Sequence, residues 1–311
     1  MVIFRYLLSL VVSLLQWVFP TDLVVTQSTL SILPPVHNGS ESAKAGLRVV
    51  HLSDFHFDYY HNPPKITSAL LDDIVKTNNS LNPDFVFLTG DFVDRTASAS
   101  EELISRWLSK LKSKYGTYAV LGNHDYRDGK SGRDLIVSNL EKHNITVLNS
   151  EYRIVELSEP PVKIEISGIG DPSCKLRGFD DFRVADTFSG KETAIPRILL
   201  SHQPDAHRKM KEYKYHLQLS GHVHGGQIVL PWHTPVLYYV DKIRRWAPQQ
   251  FRWMFLKPLD ATTDWRITEG VHLVPNYGEE AYLYLNRGVG THYPFRWNCP
   301  AELALINLVP K

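Results

Sequence analysis

Five short segments of this 311-residue chain place metal-ligating side chains at tight spacing. They read Asp54-x-His56, Gly90-Asp91-x-x-Asp94-Arg95, Gly122-Asn123-His124-Asp125, Ser201-His202 and Gly221-His222-x-His224. Alone, each has an ordinary reading. A lone buried histidine is more often a core residue than a ligand, and Gly-Asn-His-Asp fits a turn because Gly and Asn tolerate positive φ. Together they supply carboxylate, imidazole and amide donors with no cysteine among them. That donor set suits Mn²⁺, Fe or Zn²⁺ and not an Fe–S cluster or Cu(I). The ligands Asp54, His56, Asp91, Asn123, His202, His222 and His224 are too many for one tetrahedral ion and fit two ions sharing a carboxylate. Two ions ~3.5–4 Å apart clamp both the attacking and the leaving oxygen of a phosphoryl transfer.

Each segment follows an apolar run, so each is delivered by a strand. LRVVHLSD (47–54), DFVFLTGD (84–91) and TYAVLGNHD (117–125) read as buried strands running into polar loops. PRILLSHQPD and HLQLSGHVH repeat the device. Between them, apolar spacing predicts helices over 66–79, 101–112 and 134–143. Residues 151–167 alternate like a half-buried hairpin, and AYLYLNRG and ELALINL read as the last strands. Strand–helix repetition of this kind builds its site at the carboxyl edge of the sheet.

The order and spelling of the five segments resemble the calcineurin-like metallophosphoesterase superfamily, firmly over about residues 47–226. The resemblance implies a four-layer α/β sandwich, αββα. It implies a first metal held by Asp54, His56, His224 and the bridging Asp91, and a second held by Asp91, Asn123, His202 and His222. His124 then binds no metal and contacts the substrate phosphate or protonates the leaving group. Gly90-Asp91-x-Val93-Asp94-Arg95 also resembles the protein phosphatase branch, in which the position of Asp94 orients the catalytic histidine and that of Arg95 contacts phosphate. The chain departs from that branch at Thr96, where a glycine is expected. Elementary chemistry agrees with these roles. A bridging ligand needs a charged carboxylate, and Asn123 adds a neutral oxygen that limits the site's net charge. His124 can act as a general acid only if it stays free of metal, and Asp94 would hold its tautomer.

Net charge is +1, so no basic field points to nucleic acid. Two distant cysteines, Cys174 and Cys299, fit reduced thiols and make no disulfide framework. Nothing in the sequence calls for an obligate protein partner. Residues 6–19 are nearly all apolar after Arg5. A span needs ~20 such residues. The run therefore fits an interfacial helix, a short anchor or a signal-peptide core, and no small-x-small cleavage site follows it. The expected organisation is an anchor or interfacial helix over 1–25, a Ser/Pro/Asn-rich linker over 26–46 and one catalytic domain over 47–311.

Ser201-His202-Gln203-Pro204-Asp205, Asn286-Arg287-Gly288-Val289-Gly290 and Phe295-Arg296-Trp297-Asn298-Cys299-Pro300 resemble the membrane-anchored bacterial branch of the superfamily. That branch includes UDP-2,3-diacylglucosamine hydrolases of lipid A synthesis. The resemblance implies a lipid-nucleotide substrate, a membrane surface as partner, and a catalytic domain on the cytoplasmic side of an inner membrane. Residues 231–270 expand the link after the histidine loop into a segment mixing Lys242, Arg244, Arg245 and Arg252 with Trp246, Phe251, Trp253, Met254 and Phe255. It reads either as an amphipathic cover over the sheet or as an interfacial lid for acyl chains.

Overall fold

Short, mainly apolar runs such as VVHL and FVFL fit strands covered on both faces. The structure, a computed structural model, describes residues 22–35, 46–59, 64–159, 161–249, 262, 264–292 and 295–311. Twelve strands are described: β1 (Leu23–Leu33), β2 (Leu47–Leu52), β3 (Phe85–Leu88), β4 (Thr117–Ala119), β5 (Ile145–Val147), β6 (Glu151–Glu156), β7 (Lys163–Ile169), β8 (Arg197–Ser201), β9 (Leu217–Ser220), β10 (Gly270–Asn276), β11 (Glu279–Leu285) and β12 (Ala301–Pro310). They form two six-stranded mixed sheets, ordered β1-β12-β2-β3-β4-β5 and β10-β11-β9-β8-β7-β6. Strands β2 to β5 are parallel to one another, as are β7, β8, β9 and β11. All the ligand-bearing loops therefore leave their strands at carboxyl ends.

Alternation assigns each strand's side chains to one of two cores. Val49, Phe85, Phe87, Val120, Ile164, Ile166, Ile198, Leu200, Leu217 and Leu219 meet between the sheets. Val50, Leu52, Val86 and Leu88 face the other way, onto the helices α1 (Ser68–Leu81), α2 (Ala99–Arg106) and α3 (Gly129–Lys142). The result is the expected αββα layering. Helix α1 starts where Thr67 Oγ1 accepts the Leu70 amide at 3.2 Å. The third helix begins at Gly129, five residues before the expected start.

Two expectations are corrected. Residues 26–46 are not simply a linker: Leu23–Leu33 form the edge strand β1, parallel to β12, in register from Leu23 opposite Ala301 to Leu30 opposite Leu308. Only Leu30, Ile32 and Leu33 of β1 are fully buried, so its Thr- and Ser-rich remainder gives little apolar signal. The anchor boundary at 25 moves for the same reason, since Leu23–Val25 already pair with Ala301–Leu303. Residues 1–21 lie outside the described residues, and among the described residues no helix is long and apolar enough to cross a membrane. Within the 231–270 expansion, α4 (Val236–Trp246) packs Leu237, Tyr238 and Val240 against the core. It leaves Tyr239, Ile243 and Trp246 in solvent. Phe251, Arg252, Trp253, Met254 and Phe255 lie outside the described residues.

Candidate metal centre

The site forms where β2, β3, β4, β8 and β9 end. Backbone bonds lace the loops together: Asp54 N–H donates to Gly90 O at 3.0 Å, His56 N–H to Asp91 O at 2.9 Å, and Gly221 N–H to His202 O at 3.1 Å. Asp54, His56, Asp91, His222 and His224 all have φ between 47° and 74°. Left-handed backbone costs a non-glycine residue roughly 1–3 kcal/mol, and it persists where surrounding structure fixes it for a function. Glycines let the loops approach closely. A Cβ on Gly122 would lie 2.2 Å from Asp91 Oδ1, and one on Gly221 would lie 2.2 Å from Asp54 Oδ2.

The side chains fall into two adjoining groups. In the first, His56 Nε2 is 3.0 Å from His224 Nε2, and Asp54 Oδ1 is 3.3 Å from His224 Nε2. In the second, His202 Nε2 is 3.1 Å from both Asn123 Oδ1 and His222 Nδ1. Asp91 stands between them: its Oδ2 is 3.5 Å from His56 Nε2 and 3.3 Å from His202 Nε2. All seven expected ligands are thus brought together. Asp54-His56-His224 and Asp91-His202-His222 each present donor atoms close enough to hold one ion. Buried imidazole nitrogens facing one another at 3.0–3.1 Å, with carboxylates between, are a donor set that a divalent cation can satisfy. Lone pairs and charge here fit two divalent cations, which this family typically binds.

Burial lowers His56 and His202, but nearby carboxylates outweigh it and raise both: Asp54, Asp94 and Asp91 beside His56, and Asp91 and Asp54 beside His202. Burial pushes the Asp91 carboxyl up, but the His202 and His124 charges outweigh it and hold Asp91 well below the ordinary range. Burial, reinforced by the His202 charge, lowers His222 to about 3, so its ring is neutral at neutral pH.

His124 stands beside this cluster. Its Nδ1 meets the carboxylate of Asp94 at 3.0 Å and its Nε2 is 3.9 Å from Asp91 Oδ2. Burial lowers its pKa, against the pull of Asp91. Asp94 is buried and lies against His124. Arg95 meets Asp94 Oδ2 through Nε at 3.4 Å, while its side chain is 70% exposed.

Sequence reasoning missed four positioning groups. Asp125 accepts four backbone amides, from Asp91 and Phe92 at 2.9 Å, Gly122 at 2.8 Å and Val93 at 3.3 Å. It ties the second and third loops together. Burial and the Asp91 charge push it up to about 7, opposed by those amides. Its signal was its place directly after His124. Lys65 donates to Asp94 Oδ1 at 2.6 Å. Arg296, fully enclosed, donates through Nη2 to the carbonyls of Arg287 at 2.8 Å and Gly288 at 3.1 Å, and lies 3.4 Å from His224 Nδ1. His292 packs its ring 5.8–6.0 Å from those of His56, His124 and His224. Arg296 lies within the Phe295–Pro300 segment and His292 two residues after Gly290, but nothing local assigns either a place beside the ligand loops, and Lys65 lies outside the motif segments. Cys299 and Cys174 are both free and buried, and Cys299 Sγ donates to His224 O at 3.3 Å.

Comparison with known proteins agrees with this geometry. The family model for calcineurin-like phosphoesterases matches residues 47–226. The chain is 29% identical over 265 residues to the uncharacterized metallophosphoesterase YkuE of Bacillus subtilis, covering 85% of this chain and 79% of that protein. It is 27% identical to the phosphodiesterase YaeI of Escherichia coli, covering 85% and 83%. It is 28% identical to the UDP-2,3-diacylglucosamine pyrophosphatase LpxG of Chlamydia trachomatis, covering 84% and 83%. Among solved structures, Haemophilus influenzae NAD nucleotidase superposes with a TM-score of 0.51 at 16% identity, over 78% of this chain and 45% of that one, which shows a shared fold. The matched region begins at the first ligand strand and ends just past the last ligand, and on that ground the chain belongs to the calcineurin-like phosphoesterase family.

Proposed function

We propose that this phosphoesterase hydrolyses the pyrophosphate bond of UDP-2,3-diacylglucosamine, giving UMP and 2,3-diacylglucosamine 1-phosphate in lipid A biosynthesis. The observation that carries the two-metal reading is the single oxygen Asp91 Oδ2, set between His56 Nε2 at 3.5 Å and His202 Nε2 at 3.3 Å. In this reading Asp54, His56, His224 and Asp91 hold one ion, and Asp91, Asn123, His202 and His222 hold the other. Mn²⁺ is the ion proposed, with Fe or Zn²⁺ as alternatives. When bound, such a pair neutralises phosphate charge and lowers the pKa of water.

The chain's own groups supply the rest. His124 donates a proton from Nε2 to the oxygen that leaves with the sugar phosphate, and Asp94 keeps its ring oriented through Nδ1. Arg95 reaches a phosphate oxygen from its exposed position. Asp125 fixes the loops on which Asp91 and Asn123 sit. Helix α4 contributes to a lid for the acyl chains, and the apolar segment ahead of β1 holds the domain at the cytoplasmic face of the inner membrane. Support for this substrate comes from the similarity to LpxG and from the aromatic, basic insertion. A second reading, a phosphodiesterase for a soluble substrate, is favoured by the comparable similarity to YaeI.

The test is hydrolysis in ¹⁸O-water with Mn²⁺, offering UDP-2,3-diacylglucosamine, bis(p-nitrophenyl) phosphate and cyclic nucleotides. Attack of water on the α-phosphorus forms the new P–O bond there and breaks the bond to the bridging oxygen, so UMP carries the label. Label on the sugar phosphate alone moves attack to the β-phosphorus. Turnover of the soluble diesters with none of the lipid nucleotide selects the second reading.

A further inference from the structure

Four successive residues between the last two strands, Val289 to His292, are each tied by their backbone amide to the metal centre or its border. Val289 N–H donates to Ser53 O at 3.0 Å, Gly290 N–H to Asp54 O at 2.8 Å, Thr291 N–H to Lys65 O at 2.7 Å and His292 N–H to Gln227 Oε1 at 2.6 Å. Gln227 lies just past the His222–His224 loop, with φ of 53°. It is buried, and its carbonyl accepts the Trp297 amide at 2.9 Å. Gly290 permits the close approach, since a Cβ there would lie 2.3 Å from Phe55 O. The segment has no helix or strand of its own, so this unbroken run of anchored amides is what fixes the start of the His292 side chain.

That side chain enters the metal centre. Its ring centre is 5.8 Å from those of His56 and His224, the expected histidine ligands of the first ion, and 6.0 Å from that of His124. The ring planes cross at 77°, 61° and 85° respectively, so His292 meets all three at steep angles. It belongs to no group of described residues whose donor atoms lie close enough to share an ion. His56, His124 and His224 are buried, whereas His292 is half-buried. The fourth ring therefore stands on the open side of the other three, beside the ligand set and not within it.

A phosphate that sits between the first ion's ligands and His124 occupies the space these rings border. Packing alone would be served there by an apolar ring. An imidazole adds an N–H donor, and phosphoryl transfer spreads negative charge over the non-bridging oxygens of the attacked phosphorus. A rigidly held donor aimed at that charge favours the transition state over the bound substrate. We infer that His292 touches the substrate, donating a hydrogen bond to a non-bridging oxygen of the phosphate under attack on the first ion's side, and is a further catalytic residue. This rests on the two-metal reading of the site and is independent of which phosphoester is the substrate.

The experiment uses the full chain with Mn²⁺ and compares wild type with His292→Phe, His292→Asn and His292→Ala. It measures kcat/KM for bis(p-nitrophenyl) phosphate, the Kd of orthovanadate by calorimetry, and the number of ions bound. Phe keeps a ring without an N–H, and Asn keeps an N–H donor on a smaller group. His292→Phe and His292→Ala should each lower kcat/KM about 10–100-fold and weaken orthovanadate by a comparable factor, the loss of one hydrogen bond to a charged group, with both ions retained. His292→Asn should stay within about tenfold of wild type on both measures. A packing role predicts the reverse order, with Phe near wild type and Asn as poor as Ala, and that order overturns the inference. So does loss of an ion from His292→Ala, which would make the residue a ligand, or wild-type behaviour in all three variants. A wild type that binds no pair of ions and hydrolyses no phosphoester overturns the two-metal reading, and the inference with it.

Discussion

Asp94 meets the Nδ1 side of His124 twice, through its carboxylate Oδ1 at 3.0 Å and through its own backbone carbonyl at 3.0 Å. Both contacts keep a proton on Nδ1 and leave Nε2 for the substrate side. His124→Ala should therefore lower kcat by ~10²–10⁴-fold, the usual cost of losing a general acid. Both ions should remain bound, as read by metal analysis. Loss of an ion with His124 would make it a ligand. Asp94→Asn should cost about 10–100-fold in kcat and displace the acidic-to-neutral limb of the pH–rate profile, because it leaves the ring in place but weakens its charge partner.

Two glycines test how closely the loops must approach. Gly221→Ala would set a Cβ 2.0 Å from Ser53 Oγ and 2.2 Å from Asp54 Oδ2, on the first ion's side. Gly122→Ala would set one 2.2 Å from Asp91 Oδ1 and 2.5 Å from the Asp91 amide, at the shared ligand. Because a ligand must move in each case, Mn²⁺ affinity should fall about 10–100-fold. Calorimetric titration should find one weakened site in Gly221→Ala and two in Gly122→Ala. Unchanged isotherms would mean the loops have slack.

The ligands were legible in the sequence because the strands that carry them are. Residues 49–52, 85–88, 197–201 and 217–220 are buried on both faces, so 85–88 is wholly apolar and the others are mainly apolar with a few buried polar residues such as His51 and Gln218, each ending in a polar loop. Strand β1 was illegible because Thr26, Gln27, Ser28 and Thr29 interrupt its apolar residues, and the strand it pairs with begins at Ala301. Helix α3 begins earlier than its apolar spacing because its first turns, Gly129 to Arg133, bury little besides Gly132. Lys65 and Arg296 reach the site only through tertiary contacts; Arg296 sits in the Phe295–Pro300 segment, but that segment's spelling does not say which loop it meets.

Stability should depend on pH through His51. Its ring is fully buried on β2, with Nε2 2.8 Å from Thr89 Oγ1, and burial lowers its pKa to about 3, against the pull of Asp54. The unfolded chain binds this proton below about 6.5 and the folded one does not until about 3. The contribution is therefore fully present above 6.5 and is lost as pH falls toward 3. Between pH 6.5 and 5 the metal-free wild type should lose about 2 kcal/mol more stability than His51→Gln, measured by urea unfolding. Parallel curves would place the acid sensitivity elsewhere.

Trp246 is 91% exposed, and Ile243 and Tyr239 lie on the same side of α4, one and two turns earlier. Side chains in water contribute little to folding, so Ile243→Ser with Trp246→Ser should leave the melting temperature within about 2 °C. If they meet acyl chains, the double variant should raise KM for UDP-2,3-diacylglucosamine about tenfold or more. Hydrolysis of bis(p-nitrophenyl) phosphate should be unaffected. Equal losses on both substrates would make α4 a support for the fold.

The most direct test of the two-metal account is the number of ions bound by wild type and by Asp91→Ala, measured by elemental analysis after dialysis against Mn²⁺, with hydrolysis assayed on the same samples. Asp91 Oδ2 stands between His56 and His202, so removing it should strip a ligand from both ions at once. The account predicts two ions per chain in the wild type, at most one in Asp91→Ala, and loss of at least about 10³-fold in kcat. Two ions and near-normal turnover in Asp91→Ala would contradict it.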